Sequence, residues 1–287
     1  MQLLSLVFWL LRRRLRSSWL LLAVTSFGIL ASVTIMSTGA LYSRALGEAG
    51  LRHAVSSFSP EVHNAQITAQ NRPLGRADYL PLESLVEESS NGRLGEMLRS
   101  TERFGRTQLN LTLLSTPTSP IIGSPAGRPF FLTGFEEHST LTDGRWPNTG
   151  AFKDPDGQGD IEIVLGIETS RSLSYFVGDR IFLVPRRGSS ERVPFKVVGV
   201  AEPIDANEEY WMDAPVYFDL IPIAESVVVP IFMNEDDFFE GIGARYPNLV
   251  GDFGFFLYLD AGYLTTGNAD DVKERILGVE TDLNKVY

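Results

Sequence analysis

The polar and apolar positions divide the chain into two unlike parts. Residues Ser17 to Ser43 (SSWLLLAVTSFGILASVTIMSTGALYS) contain no charged residue. A helix rises about 1.5 Å per residue and a bilayer core is about 30 Å thick, so roughly 20 such residues suffice to cross. The pattern predicts a transmembrane helix over 17–43, with Trp19 and Tyr42 at its interfacial ends. Arg12, Arg13, Arg14 and Arg16 stand just before it, which predicts a cytoplasmic N-terminus and an extracytoplasmic bulk. The preceding MQLLSLVFWLL joins these arginines as an amphipathic interfacial helix, residues 1–16. Arg44 to Ser57 keeps a helical pattern, so the membrane helix is expected to continue as a stalk. A buried core helix of this length beside four arginines would be unusual. A cleaved signal peptide needs an apolar run of about 7–15 residues and a small-x-small site, and Thr38-Gly39-Ala40 fits that poorly. Later in the chain Ile221 to Met233 is the most apolar stretch, but Pro222, Glu225 and Pro230 interrupt it, so a single crossing is predicted.

The remainder alternates between short strands and helices. Strand patterns cover His63–Gln70, Thr107–Ser115, Phe130–Thr133, Ile161–Leu165, Arg180–Val184, Val193–Val200, Val227–Met233 and Phe253–Leu259. Helical spacing covers Pro81–Ser100, with a break expected at Asn91-Gly92, and one or two turns over Glu168–Tyr175. Ala269, Val272, Ile276, Val279 and Leu283 mark one face of a further helix. The run TPTSPIIGSPAGRP (116–129) reads as a connection. Strand-helix-strand units at either end flank a β-rich middle, which predicts an α+β, ferredoxin-like domain with an insertion.

Charge sharpens the contrast between the two parts. After residue 43 the chain holds 21 basic residues against all 36 acidic ones, a balance that repels nucleic acid. There is no cysteine, so disulfides, thiolate metal sites and cysteine nucleophiles are excluded. Phosphate-binding loops of the G-x-x-x-x-G-K-[ST] or G-x-G-x-x-G type and the G-x-S-x-G nucleophile pattern are absent. The three histidines, His53, His63 and His138, are scattered and read as surface residues. Asp154, Asp156 and Asp160 in DPDGQGD resemble a calcium loop faintly, but Leu165 stands where the closing glutamate belongs, so a solvated turn is expected. Asn234 is expected to cap a helix whose N-terminus Glu235, Asp236 and Asp237 complement. Asn110-Leu111-Thr112 is a glycosylation sequon inside a predicted strand. Trp146, Tyr210 and Trp211 are the aromatic binding candidates, with packing over a domain edge as the competing reading. No catalytic, cofactor-binding or metal-ligating residue is assigned.

The opening LRRRLRSSWLLLAVTSFGILASVTIMSTGALYSRAL, then GRWP (144–147), IEIVLGIETSRSLSYFVGDRIFL (161–183), VPFKVVGV (193–200) and EPIDANEEYW (202–211), resemble the first half of a MacB/FtsX-type ABC-transporter permease. The resemblance implies a porter-like α+β domain at 44–128 and 212–287 carrying an inserted β-rich subdomain at 129–211. It also implies a plasma-membrane location, a separate cytosolic ABC ATPase as partner and a second permease copy or subunit. Permeases of this family have further membrane helices after this domain, and this chain shows none, so it is expected to be an N-terminal fragment or a shortened subunit. The leading expectation is therefore a non-catalytic permease component that relays ATP-driven motion through the membrane helix. A single-span sensor or ligand-binding protein is the alternative. A membrane-anchored hydrolase would need a clustered site that the sequence lacks.

Overall fold

The computed structural model describes residues 19–57, 64–108, 111–116, 124–153, 159–185, 191–212, 217–223 and 226–285. The interfacial segment 1–16, His63, Asn110, Asp154 and Asp156 fall outside these residues. The N-terminal helix and the domain after it are two separate compact units.

Helix α1 runs unbroken over Trp19–Ser57, 39 residues. The stalk expected after residue 43 is therefore helical and continuous with the apolar segment. Trp19–Leu51 is apolar enough to cross a membrane, with a mean hydropathy of 2.0 in its most apolar stretch and none of that stretch buried. Phe27, Ile35 and Met36, pointing in different directions, all lie open. A helix apolar on every side suits lipid, where no face has to meet water. Its hydroxyls suit lipid as well. Thr25 Oγ1 donates to Leu21 O at 2.9 Å and Thr34 Oγ1 to Leu30 O at 2.8 Å, so neither needs a solvent partner. Among the described residues this is the one helix long and apolar enough to span.

The domain is α+β and mostly sheet. Its elements are β1 Ala65–Pro73, α2 Arg76–Leu94, β2 Leu98–Thr107, β3 Leu111–Leu114, β4 Ala126–Leu132, β5 Ser139–Gly144, β6 Ile161–Gly166 and α3 Ile167–Leu173. There follow β7 Arg180–Val184, β8 Val193–Pro203, β9 Ile221–Ile223, β10 Ser226–Phe232, a π-helical segment Asp237–Gly243, β11 Val250–Leu259 and α4 Ala269–Leu283. The sheet runs β1-β11-β2-β4-β3-β7-β8-β6-β10-β9, and β4 also pairs with β10. That extra pairing closes β4, β3, β7, β8, β6 and β10 into a barrel, from which β2, β11 and β1 extend as an open wing.

Two observations explain how the barrel closes. The β4–β10 contact is parallel, in register from Val228 opposite Ala126 to Phe232 opposite Phe130. Pro230 is tolerated there because β9 pairs only with Ser226–Val228 and β6 only with Phe232, leaving the other edge of β10 without a ladder at the proline. Inside the barrel Leu113, Ile163, Leu183, Phe195, Val197 and Ile231 are buried and form part of the first core cluster. Gly127 has to be glycine: a Cβ there would come within 2.9 Å of both Ile231 and Leu183. The barrel takes β3 from before residue 129 and β10 from after residue 211, so it draws strands from both sides of the β-rich middle section.

In the wing, β1-α2-β2 is a split strand-helix-strand unit. β11 pairs antiparallel with both β1 and β2, so the latter two run parallel with β11 between them. Aromatic rings lie across glycines on both faces. Phe253 stands opposite Gly105 and Phe104 opposite Gly254, and Phe131 reaches Gly105 from β4. Both faces are covered, which is why β11 is buried nearly throughout. On one face Tyr79 of α2 meets Phe239 and Phe253 at 4.9 Å each and Phe131 at 6.4 Å. On the other, Phe104, Phe130, Phe135, Trp211, Phe232 and Phe256 belong to a second cluster.

Several expectations need correction. Helix α2 passes through Asn91-Gly92 and stops at Leu94, where Gly95 at φ 52° returns its N–H to Asn91 O. Of the predicted helix end, Gly95–Met97 is a 3-10 turn and residues 98–100 open strand β2. The supposed connection 116–129 contains the start of β4, and β5 was unforeseen.

The Tyr79 hydroxyl is buried and finds no hydrogen-bond partner among the described residues. Tyr79→Phe removes that uncompensated group and should be neutral or stabilising by about 1 kcal/mol, whereas Tyr79→Ala should cost about 3–5 kcal/mol through the cavity it leaves. Thermal unfolding of the two variants checks the ordering.

Candidate functional site

Parallel strands that part company leave a crevice beyond their carboxyl ends. Here β4 turns off through residues 133–138 towards β5, while β10 turns into the π-helical segment. The cavity between them measures about 280 Å³ and is lined by both divergent ends, from Phe131 to Glu137 and from Phe232 to Glu235. Phe135 stacks on Phe232 at 4.1 Å beneath it. Glu136 and Glu137 stand on its rim, and partial burial, with the Glu137 charge beside it, pushes the Glu136 carboxyl up from its ordinary value. Below the rim, Thr133 Oγ1 donates to Glu102 Oε2 at 2.5 Å, and burial raises the Glu102 carboxyl too. An apolar floor under carboxylates suits a donor or cationic group on an apolar body.

A second depression of about 480 Å³ lies between β1 and helices α2 and α4, with Ile67, Leu82, Ile276, Val279 and Leu283 among its walls. β1 is the last strand on its side of the sheet, and Asn64 to Asn71 carries no charge. An open strand edge beside an apolar groove is the geometry that accepts an added extended strand.

The aromatic candidates turn out to be packing residues. Tyr210 and Trp211 are buried, and Trp146 is half-buried edge-on to Phe135 at 6.1 Å. The Tyr210 hydroxyl donates to Thr133 O at 2.6 Å and Trp211 Nε1 to Asp205 O at 2.9 Å. Of the histidines, His53 is exposed, as expected. His138 is not a plain surface residue: it stacks on Tyr210 at 3.7 Å, and its Nδ1 lies 2.8 Å from Glu208 Oε1. Asp160, the described acid of the DPDGQGD turn, pairs with Arg180. Among the described residues no group of three potential metal ligands occurs.

The acids at 235–237 also differ from expectation. Glu235 pairs with Arg76 and Arg103, and Asp236 pairs with Arg76, so these two tie the segment to α2 and β2. Asp237 is buried and accepts the Gly150 N–H at 2.7 Å. Asn234 does not cap through its side chain. Its Nδ2 donates to Pro147 O at 3.0 Å and to Thr149 Oγ1 at 3.1 Å. Asn234 and Asp237 thus grip one stretch of chain, residues 145–153, that crosses beside the cavity. Glu162 on β6 holds the start of this strap, accepting two Arg145 bonds at 2.5 and 2.6 Å and the Asn148 N–H at 2.8 Å. The GRWP and IEIVLG phrases noted in the sequence are therefore joined by one salt bridge. Nothing in their separation along the chain could have revealed the contact.

Comparison with protein-family models and with curated proteins gives no match.

Hydrogen bonds from Arg145, aided by the Asn148 N–H, hold the Glu162 carboxyl below its ordinary value. A depressed carboxylate contributes stability above its unfolded pKa and loses it as pH falls through the folded one. Glu162→Ala should therefore destabilise by about 1–3 kcal/mol at pH 7, discounted because Arg145 is half exposed. The difference from wild type should shrink below pH 4.5, which chemical denaturation at a series of pH values measures.

Proposed function

We propose that the chain is a non-catalytic permease component of the MacB/FtsX type, placed in the plasma membrane with its N-terminus cytoplasmic and its domain outside. Its membrane helix would pass ATP-driven motion to the outer domain. The observation that carries this reading is the unbroken 39-residue helix. At about 1.5 Å per residue it is roughly 58 Å long, close to twice the bilayer core, so a stiff rod continues well past the lipid. A mere anchor needs no such extension. The arginines at 12–16 support the orientation, and the phrases at 144–147, 161–183 and 193–200 support the family. The split β1-α2-β2 unit, with β11 between its strands, supports a ferredoxin-like, porter-like reading of the wing, beside a β-rich barrel. A separate cytosolic ABC ATPase would supply the energy, and a second permease copy or subunit would complete the transport path.

A single-span ligand-binding protein is the second reading, favoured by the groove beside the uncharged β1 edge. The two separate experimentally. On the permease reading the full chain stays in the membrane pellet after carbonate extraction, and crosslinking in cells captures an ABC-type ATPase. Retention in the pellet without such an ATPase leaves the binding protein. Release by carbonate overturns both.

A further inference from the structure

Asp237 is a charged-type residue in an uncharged setting. It is fully buried, at 0% exposure. Its Oδ1 takes the Gly150 N–H, and no donor among the described residues reaches its Oδ2. The strap above it is fastened at both ends by contacts that do not involve Asp237: Arg145 to Glu162 at one, and buried Phe152 at the other. Between these anchors, residues 146–150 are held by Asn234, Glu162 and Asp237. Within that span Trp146 lies edge-on to Phe135 and Phe232, the rings beneath the cavity at the ends of β4 and β10.

We propose that Asp237 is a proton-operated latch: protonated, it lets the strap sit with Trp146 against the Phe135–Phe232 rings, and ionised, it releases residues 146–150. The proton sits on the partnerless Oδ2, while Oδ1 keeps the Gly150 bond. Ionisation leaves a buried charge with one N–H to stabilise it, and admitting water by lifting the strap relieves that cost. The surrounding charges do not neutralise it. Lys153 is drawn to Glu240, Asp236 is engaged with Arg76, and Glu162 with Arg145, while Glu235 is shared between Arg76 and Arg103. Burial raises the Asp237 carboxyl to about 6, with Asp236 and Glu162 adding to the rise and the Gly150 N–H and Lys153 opposing it. The folded domain therefore holds this proton more tightly than the unfolded chain, and seating weakens as pH climbs from 3.8 through about 6.

The test follows Trp146 emission in the full-length chain in detergent, assigned by subtraction of Trp146→Phe, between pH 5 and 8. A red shift with a midpoint near 6 is expected in wild type. Asp237→Asn should keep the blue emission throughout, and Asn234→Ala should show the released emission at both extremes. A flat wild-type titration, or an unchanged midpoint in Asp237→Asn, overturns the latch. Should Asp237→Asn not fold, hydrogen exchange of wild type decides. Protection lost with rising pH only in the peptide spanning 145–153, after correction for the chemical exchange rate, upholds it. Protection that is unchanged, or lost evenly across the domain, overturns it.

Discussion

The parallel contact between β4 and β10 is the constraint on which the rest of the domain depends. Each strand belongs to a different part of the sequence, and their pairing turns what would be a long curling sheet into a closed barrel. Closure removes two edges that would otherwise stand open. It also brings Gly127 against Ile231 and Leu183, so the barrel interior is filled by side chains. The open wing hangs on the same place, because β2 pairs with β4 just past the parallel ladder, at Phe130–Leu132. The cavity, in turn, exists because two strands that run side by side leave in different directions.

Around that frame the polar side chains act mainly as fasteners. The domain carries a large acidic surplus, yet several of its arginines find carboxylates from distant stretches: Arg103 reaches Glu83 and Glu235, Arg93 reaches Asp282, and Arg99 reaches Glu209. Partly exposed pairs of this kind contribute little individually. Their value lies in register and in binding loops to strands. Asp237 is the exception, because its burial is not matched by a partner of opposite charge, and that imbalance is what makes it responsive.

Much of the skeleton was legible in the sequence, for physical reasons that differ by element. The apolar helix needed only length and charge. β6, β7, β8, β10 and β11 were legible as short apolar runs between turn residues, because these largely buried strands carry few polar residues, Glu162, Lys196 and Asp252 among them. β2 was not: Arg99, Glu102, Arg103 and Arg106 fall at helical i, i+3, i+4, i+7 spacing, and the arginines' ion-pair partners lie on other elements, so the segment resembles a charged helix end. β5 is short and mostly exposed, which leaves no apolar signature. The site was far less legible. Asp237 reads locally as one of three acids at a helix start, and its burial comes from Gly150 and the strap, more than eighty residues away in sequence. Barrel closure was equally invisible, since a parallel pair imprints no turn on the sequence.

The wing carries a consequence for the order of events during synthesis. β1 is made early, but its partner β11 is separated from it by almost the whole domain, Ala65 meeting Leu257. Until β11 leaves the ribosome, β1 and β2 each lack the strand that belongs between them. The intervening barrel can assemble only after β10 emerges to meet β4. Pairings this distant delay folding, and they leave strand edges exposed meanwhile. The uncharged stretch from Asn64 to Asn71 would wait longest, close to the apolar N-terminal helix in sequence. A nascent chain of this design therefore has its greatest need for a holding chaperone just before its last strand appears.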